Sequence, residues 1–231
     1  MDINENLGYN KFSNSINGVL LRGQRRNVQM KTNWLFDNYP FIKNKELTLC
    51  KPNPTEGSAV VEIFSDKELI KLSRRTLKLD SYNINLFFRQ MEASFQSKRS
   101  VLLGIFHNEN LNELLGLVLL DNIDANTECV DLDLYLRKNY RSKSLAVKAI
   151  SLVTEFLFER AQVKRIAAST LAENKVFEDI LLASGFTKEG VSRQGVYLPE
   201  KGVVSMAYFS FLKSDLLEED MEAEEPSDYY L

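Results

Sequence analysis

A strand, a short basic loop and a long amphipathic helix follow one another in the middle of the chain. Residues 129–136 alternate like a strand, and the helix is predicted to run through about Ala161. Its buried face comprises six apolar residues: Leu145, Ala149, Leu152, Val153, Phe156 and Leu157. A further strand at 165–171 and a helix from about Asn174 to Ala183 follow, and Gly185 stands where a glycine commonly ends a helix. This β-α-β-α order predicts an α/β (α+β) domain.

The rest of the pattern predicts an antiparallel meander before this unit and a hairpin after it. Strand-like runs at 101–107 and 113–120 precede the strand at 129–136, with turn residues between them. The other predicted elements are a strand at 46–50, helices at about 55–66 and 83–96, and strands at about 186–197 and 203–212. Because 231 residues suffice for one sizeable core, we expect a single domain with appendages.

Charge is distributed unevenly along the chain. The formal net charge is −3, but residues 215–231 alone carry −8 and residues 1–45 carry +4. We therefore predict a basic N-terminal extension at 1–45, a nearly neutral domain at 46–213 and an acidic, disordered tail at 214–231. The near-balance of acidic and basic residues over the whole chain argues against a dedicated nucleic-acid-binding protein.

The scarcity of histidine and cysteine excludes several kinds of site. With His107 as the only histidine, one chain cannot build a zinc site with two histidine ligands, and we expect no metal. Cys50 and Cys129 form neither a CxxC pair nor a disulfide framework, which favours a reducing compartment. The N-terminal residues lack the features of a signal peptide, and no apolar run approaches membrane-spanning length. We expect a cytoplasmic protein that does not bind membranes.

The basic loop at the start of the long helix is a candidate anion site. A helix N-terminus presents unpaired N–H groups and the positive end of the helix dipole. Arg141 and Lys143 add positive charge, and the hydroxyls of Ser142 and Ser144 can donate to the same anion. The alternative is an ordinary helix in which a serine serves only as the N-cap.

The order of elements and several local motifs resemble the GNAT acyltransferases from about Glu46 to Leu212. The family's loop motif, Arg/Gln-x-x-Gly-x-Gly/Ala, aligns with residues 141–146, with Ser144 at the first glycine position. Residues 185–191 are similar to the Gly-Phe-x-x-Glu-Gly turn of the ribosomal-protein N-terminal acetyltransferases, the RimJ/RimL branch, and segments at 47–49, 54–56 and 64–66 also resemble that branch. The resemblance implies a mixed, mostly antiparallel sheet of about seven strands with about four helices.

The resemblance also implies a cosubstrate and a reaction. Acetyl-CoA would bind with its pyrophosphate on the backbone amides of the loop and with its pantetheine arm along the strand edge 133–136. The cofactor-binding residues implied are Leu134, Tyr135, Leu136, Arg141, Ser142, Lys143, Ser144, Leu145, Ala146 and Asn174. The acetyl group would pass to a primary amine, on a protein N-terminus or a small molecule, by direct attack on the thioester. We expect a monomer or homodimer.

The sequence departs from the family at the positions of the usual proton donors. Phe177 stands where the RimJ/RimL branch has serine, and Leu181 where many GNAT enzymes have tyrosine. The remaining candidates for catalysis are Asp131, Asp133 and Ser169, with Thr170 and Tyr135 as other possible donors to the thiolate. The two aspartates could instead pair with neighbouring bases or face solvent. A catalytically degenerate module that binds acyl-CoA or a protein partner is therefore the alternative function.

Overall fold

One mixed sheet dominates the computed structural model, which describes residues 29–75 and 77–216. Its strands are β1 (Ile42–Lys43), β2 (Leu47–Cys50), β3 (Val101–His107), β4 (Asn110–Asp124), β5 (Cys129–Leu136), β6 (Arg165–Leu171), β7 (Thr187–Leu198) and β8 (Gly202–Leu212). Their order across the sheet is β1-β2-β3-β4-β5-β6-β8-β7. β5 and β6 are parallel, and the other neighbours are antiparallel. The predicted mixed, mostly antiparallel sheet is confirmed.

Helices cover both faces of the sheet. They are α1 (Asn33–Phe36), α2 (Gly57–Ser65), α3 (Lys67–Leu72), α4 (Ile84–Gln96), α5 (Lys143–Glu159) and α6 (Lys175–Ala183). Buried residues of α1, α5 and α6 share one hydrophobic core. Buried residues of α2 and of the first half of α4 form half of a second core on the opposite face, and strand residues form the other half. α3 has no buried residue; Leu69 packs against the second core, and polar contacts join the two ends of α3 to Arg141 and Asn174.

The described part of the chain has eight strands and six helices, where the sequence predicted about seven and four. β1, α1 and α3 account for the difference. They are two, four and six residues long, too short to show a hydrophobic period. Short elements of this kind form because their neighbours provide hydrogen bonds and buried surface.

The folded body begins before residue 46, the predicted end of the N-terminal extension. Leu35 is fully buried, and Ile42 pairs with Leu49 of β2. The Met30 N–H donates to Glu128 Oε1 at 2.8 Å, which anchors the start of the described residues beside β5. Residues 30–43 are thus part of the domain core. Residues 1–28 and most of the predicted acidic tail, from 217 onward, lie outside the described residues.

A membrane-spanning helix was not expected. Among the residues that the structure describes, no helix is both long enough and apolar enough to cross a bilayer.

Candidate functional site

β5 and β6 pair only at their first three residues, and this places an opening in the middle of the sheet. The last paired residues are Asp131 and Ala167. Beyond them the strands diverge around a cavity of about 510 Å³. The cavity is lined by the end of β5, by α3, by the C-terminal part of β6 and by α6, and it extends to the first turn of α5. The edge of β5 that the resemblance assigned to pantetheine therefore faces a cavity.

Most of the predicted site residues meet at this cavity. Ten of them line it: Asp133, Leu134, Tyr135, Leu136, Arg141, Ser142, Lys143, Ala146, Ser169 and Asn174. Ser144 and Leu145 line a second cavity of about 320 Å³ on the other side of the same turn, together with Arg141 and Ser142. Asp131 lies at the closed end, where strand pairing stops, and does not line either cavity.

The N-terminus of α5 is capped by Ser142. Its hydroxyl oxygen accepts a hydrogen bond from the Leu145 N–H at 3.2 Å, and the Ala146 N–H donates to the Ser142 carbonyl at 3.1 Å. Ser142 is therefore the N-cap residue of α5. The N–H groups of Lys143 and Ser144 have no hydrogen-bond partner among the described residues, so an anion can still bind there. Lys143 and Ser144 are exposed beside this turn.

Arg141 links the loop to α3. Its Nη1 is 3.1 Å from Asp66 Oδ1, and its Nε donates to the Leu136 carbonyl at 3.2 Å. Burial tends to raise the pKa of Asp66, but hydrogen bonds from the Leu69 N–H and Arg141 lower it below its usual value. Arg141 Nη2 is buried and has no hydrogen-bond partner within the described structure. One nitrogen of the guanidinium thus has no acceptor within the described residues.

Asn174 holds three elements together at the wall of the cavity. Its Oδ1 accepts from the Phe177 N–H at 3.2 Å and so caps α6. Its Nδ2 lies 3.1 Å from Thr170 Oγ1 on β6 and 3.4 Å from the Leu72 carbonyl at the end of α3. The side chain of Asn174 is therefore engaged by the protein itself, which fixes α6 and α3 relative to β6.

Asp133 is paired with two arginines that follow α3. Arg74 binds it through two hydrogen bonds of 2.9 Å, from Nε to Oδ1 and from Nη2 to Oδ2, and Arg75 Nε lies 2.7 Å from Oδ2. Arg75 also pairs with Asp121 on β4, while Asp131 Oδ2 accepts from Asn122 Nδ2 at 2.8 Å. The structure thus has Asp133 paired with neighbouring bases, the alternative considered for it. A catalytic role for either predicted aspartate stays a prediction.

The sequence analysis missed Arg74, Arg75 and Asp121. Asp121 belongs to the turn predicted after residue 120, but β4 extends to Asp124 and places it opposite Asp131. Burial raises the pKa of Asp121, against the lowering effect of Arg75. Two adjacent arginines in an irregular segment are a weak signal, because nothing local indicates that they reach a strand almost 60 residues away.

The candidate proton donors differ in how they meet the cavity. Ser169 lines it and is partly exposed. Thr170 is buried and accepts from Asn174, while burial raises the pKa of Tyr135 far above its ordinary value. Phe177 also lines the cavity, whereas Leu181 is completely buried in the core beside α5. At the position where many GNAT enzymes have tyrosine, this chain thus has a leucine in the hydrophobic core.

The chain is similar to known acetyltransferases. It is 23% identical over 160 residues to the uncharacterized N-acetyltransferase YoaA of Bacillus subtilis (strain 168), covering 69% of this chain and 89% of YoaA. It is 24% identical over 103 residues to YdaF of the same organism, provisionally named a ribosomal N-acetyltransferase, covering 44% of this chain and 55% of YdaF. The latter similarity agrees with the RimJ/RimL branch that the sequence resembles.

A solved structure shares the fold. The spermidine N-acetyltransferase from Vibrio cholerae, in complex with CoA and spermine, matches with a TM-score of 0.65 at 14% identity, covering 75% of this chain and 99% of that protein. The family model described as an acetyltransferase (GNAT) domain matches residues 46–187, more than half of the chain. This match shows that the chain belongs to the GNAT family of N-acetyltransferases.

Proposed function

We propose that this chain transfers the acetyl group of acetyl-CoA to a primary amine, on a protein N-terminus or a small molecule, by direct attack on the thioester. The observation that carries the proposal is the divergence of β5 and β6 after Asp131 and Ala167. The opening leaves the edge of β5 beside a cavity that reaches the N-terminus of α5. An extended arm with amide groups and an anionic end fits such a site, because the strand edge can pair with amides and the helix terminus with phosphate.

Several residues would hold the cosubstrate. The backbone of Leu134 to Leu136 would pair with the pantetheine arm, and the first-turn amides of α5 would bind the pyrophosphate. Lys143 and the free nitrogen of Arg141 would add positive charge there. The apolar side chains of Phe177 and Ile180 on α6 would exclude water from one wall. Asn174 would act by fixing this wall, since its own polar atoms are engaged.

When bound, acetyl-CoA supplies the carbonyl that the amine attacks. A carbon–nitrogen bond forms, the carbon–sulfur bond breaks, and the proton lost by the amine must reach water while the departing thiolate gains one. Ser169 is the donor we favour, because it lines the cavity next to the point where the strands separate. Asp131 is the favoured route for the amine's proton through a water molecule, since it lies where the strand pairing stops, is partly exposed and is bonded to a neutral amide rather than to arginine.

A second candidate is a module that binds acyl-CoA without catalysis. The observations that favour it are Phe177 and Leu181 at the usual donor positions and the complete pairing of Asp133. Both functions require the same cavity, so binding of CoA does not distinguish them. Acetyl transfer to an amine does distinguish them, because only the enzyme performs it.

The experiment is calorimetric titration of the full chain with acetyl-CoA and free CoA, followed by thiol-release assays with peptides and small amines. Binding with turnover on at least one amine supports the enzyme, and binding without turnover supports the module. Ser169→Ala tests the donor, with Ser151→Ala on the exposed side of α5 as a matched control. Absence of binding by acetyl-CoA and CoA would contradict the assignment of the cavity.

A further inference from the structure

Three carboxylates lie together on one face of the sheet, and two guanidinium groups bind two of them. The carboxylates belong to Asp121, Asp131 and Asp133, which lie on adjacent strands, with Asp121 directly opposite Asp131. Arg74 and Arg75 come from the segment after α3 and bind Asp133 and Asp121. Asp133 is 5% exposed, so these ion pairs are largely shielded from water. The cluster retains a net charge of −1.

This cluster lies at the end of the cavity where the amine would enter. Arg74 and Asp133 line the cavity at the point where β5 and β6 begin to separate, and the N-terminus of α5 lies at the opposite end of the β5 edge. If the phosphates bind at α5, as proposed above, the thioester lies toward Asp133. The charges around Asp133 therefore face the incoming amine.

A site that accepts a polyamine needs open carboxylates for the additional ammonium groups. Here both oxygens of Asp133 are occupied by Arg74, and one is shared with Arg75. Such charge-assisted pairs with a planar, two-pronged geometry are among the stronger polar contacts in proteins. An additional ammonium group would have to displace a guanidinium and would then lie beside it. Specificity arises from repulsion of the wrong ligand as well as from attraction of the right one.

We propose that Arg74 and Arg75 are specificity-determining residues that select acceptors with a single positive charge and exclude polyamines. The inference rests on the proposed function, because it uses the position of the thioester. It narrows the acceptor to a monoamine, such as a peptide N-terminus without basic residues near it. The resident arginines occupy Asp133, the carboxylate of the cluster that lines the cavity and that a second ammonium group would require.

The test is the binding of spermidine to CoA-saturated protein, measured by calorimetry at low and high salt. Arg74→Gln is the first variant, because it removes the two-pronged pair from Asp133, which lines the cavity, while Arg75 keeps one bond to Oδ2. The Arg74→Gln/Arg75→Gln double variant leaves Asp133 without an arginine partner. We expect the wild type to bind spermidine weakly and the single and double variants to bind it about tenfold more tightly or better at low salt. The affinity for a peptide with a single amine should change much less between the wild type and the variants.

Controls separate this result from loss of folding. Arg99→Gln removes an exposed arginine outside the cavity and should leave spermidine binding unchanged. Arg74→Lys keeps the charge and should preserve exclusion. If the double variant does not fold, Arg74→Gln decides the question, since Asp133 then retains the bond from Arg75.

The outcome is independent of catalysis. Should CoA bind but no amine be acetylated, the proposed function fails, yet the spermidine titrations of the CoA-saturated wild type and variants still report on exclusion. Spermidine binding to the wild type as tight as to both variants would overturn the proposal, as would a wild type that acetylates spermidine as efficiently as peptides.

Discussion

Ser144→Asp should weaken acetyl-CoA binding without harming the fold. Ser144 is exposed and is the second residue of α5, where the proposed function places the pyrophosphate. An acidic side chain in the first turn interacts favourably with the helix dipole, by about 0.3–1 kcal/mol. The same charge repels a bound phosphate. Stability and affinity are therefore expected to change in opposite directions, which distinguishes electrostatic repulsion from local unfolding.

The magnitude follows from Coulomb's law. Two unit charges about 5 Å apart interact by about 0.8 kcal/mol in water and by about 3 kcal/mol at an effective dielectric constant of about 20. Because Ser144 is exposed, the value should lie nearer the lower limit, at about 1–2 kcal/mol. Such a change corresponds to an acetyl-CoA dissociation constant that is about 5- to 30-fold higher.

The assay is calorimetric titration with acetyl-CoA at two salt concentrations, together with urea unfolding. Ser151→Asp is the matched control: it introduces the same charge on the same helix, about 10 Å further along, in another exposed position. It should change affinity by less than about twofold, because it lies about one Debye length from the phosphates. Equal affinities for Ser144→Asp and wild type would refute phosphate binding at this turn.

Three further predictions concern the elements around the cavity. Asn174→Ala should lower the free energy of unfolding by about 1–2 kcal/mol in urea, because α6 loses its cap, while Asn174→Asp keeps the cap and loses only the bonds that Nδ2 donates to Thr170 and Leu72; equal losses would contradict the capping role. Leu35→Ala should cost about 2–5 kcal/mol in the same assay, since the side chain is fully buried; a change near zero would mean that α1 does not belong to the folded body. Asp66 has a lowered pKa in the folded state, so its stabilisation is complete above its unfolded pKa of 3.8 and is lost as the pH falls through the folded value. Asp66→Asn should therefore flatten the acid limb of the stability curve, and an unchanged acid limb would argue against its pairing with Arg141.

The sequence predicted the elements that have clear boundaries or are long enough to show a regular spacing of apolar residues. α5 and α6 were found because their apolar residues recur at helical spacing, and the parallel relation of β5 and β6 follows from the crossover helix between them. The cavity could be located because the loop motif at 141–146 and Asn174 mark its two walls. These signals are local, because each can be recognised without knowing which distant residues it contacts.

What the sequence did not predict depends on contacts between distant residues. β1 is a strand because it pairs with Leu49, and α1 is ordered because Leu35 enters the core beside α5. Arg74 reaches Asp133 across 59 positions of sequence, through an irregular segment with no period. The net charge of residues 1–45 also gave a wrong start for the domain at residue 46. Basic residues at the surface of this segment accompany apolar residues that are buried.

The division of the sheet affects how stable the domain can be. If β5 and β6 stayed paired to their ends, the sheet would gain ladder hydrogen bonds and lose the cavity. The sheet is therefore less stable at its centre, and peptide groups there remain available to a ligand. Functional sites often have such a cost in stability. A bound arm would complete the sheet like an additional strand, and amide exchange at Leu134 to Leu136 should then slow. Unlike an edge strand at the perimeter, this edge lies between two strands of the same chain, where a second protein has little access to it.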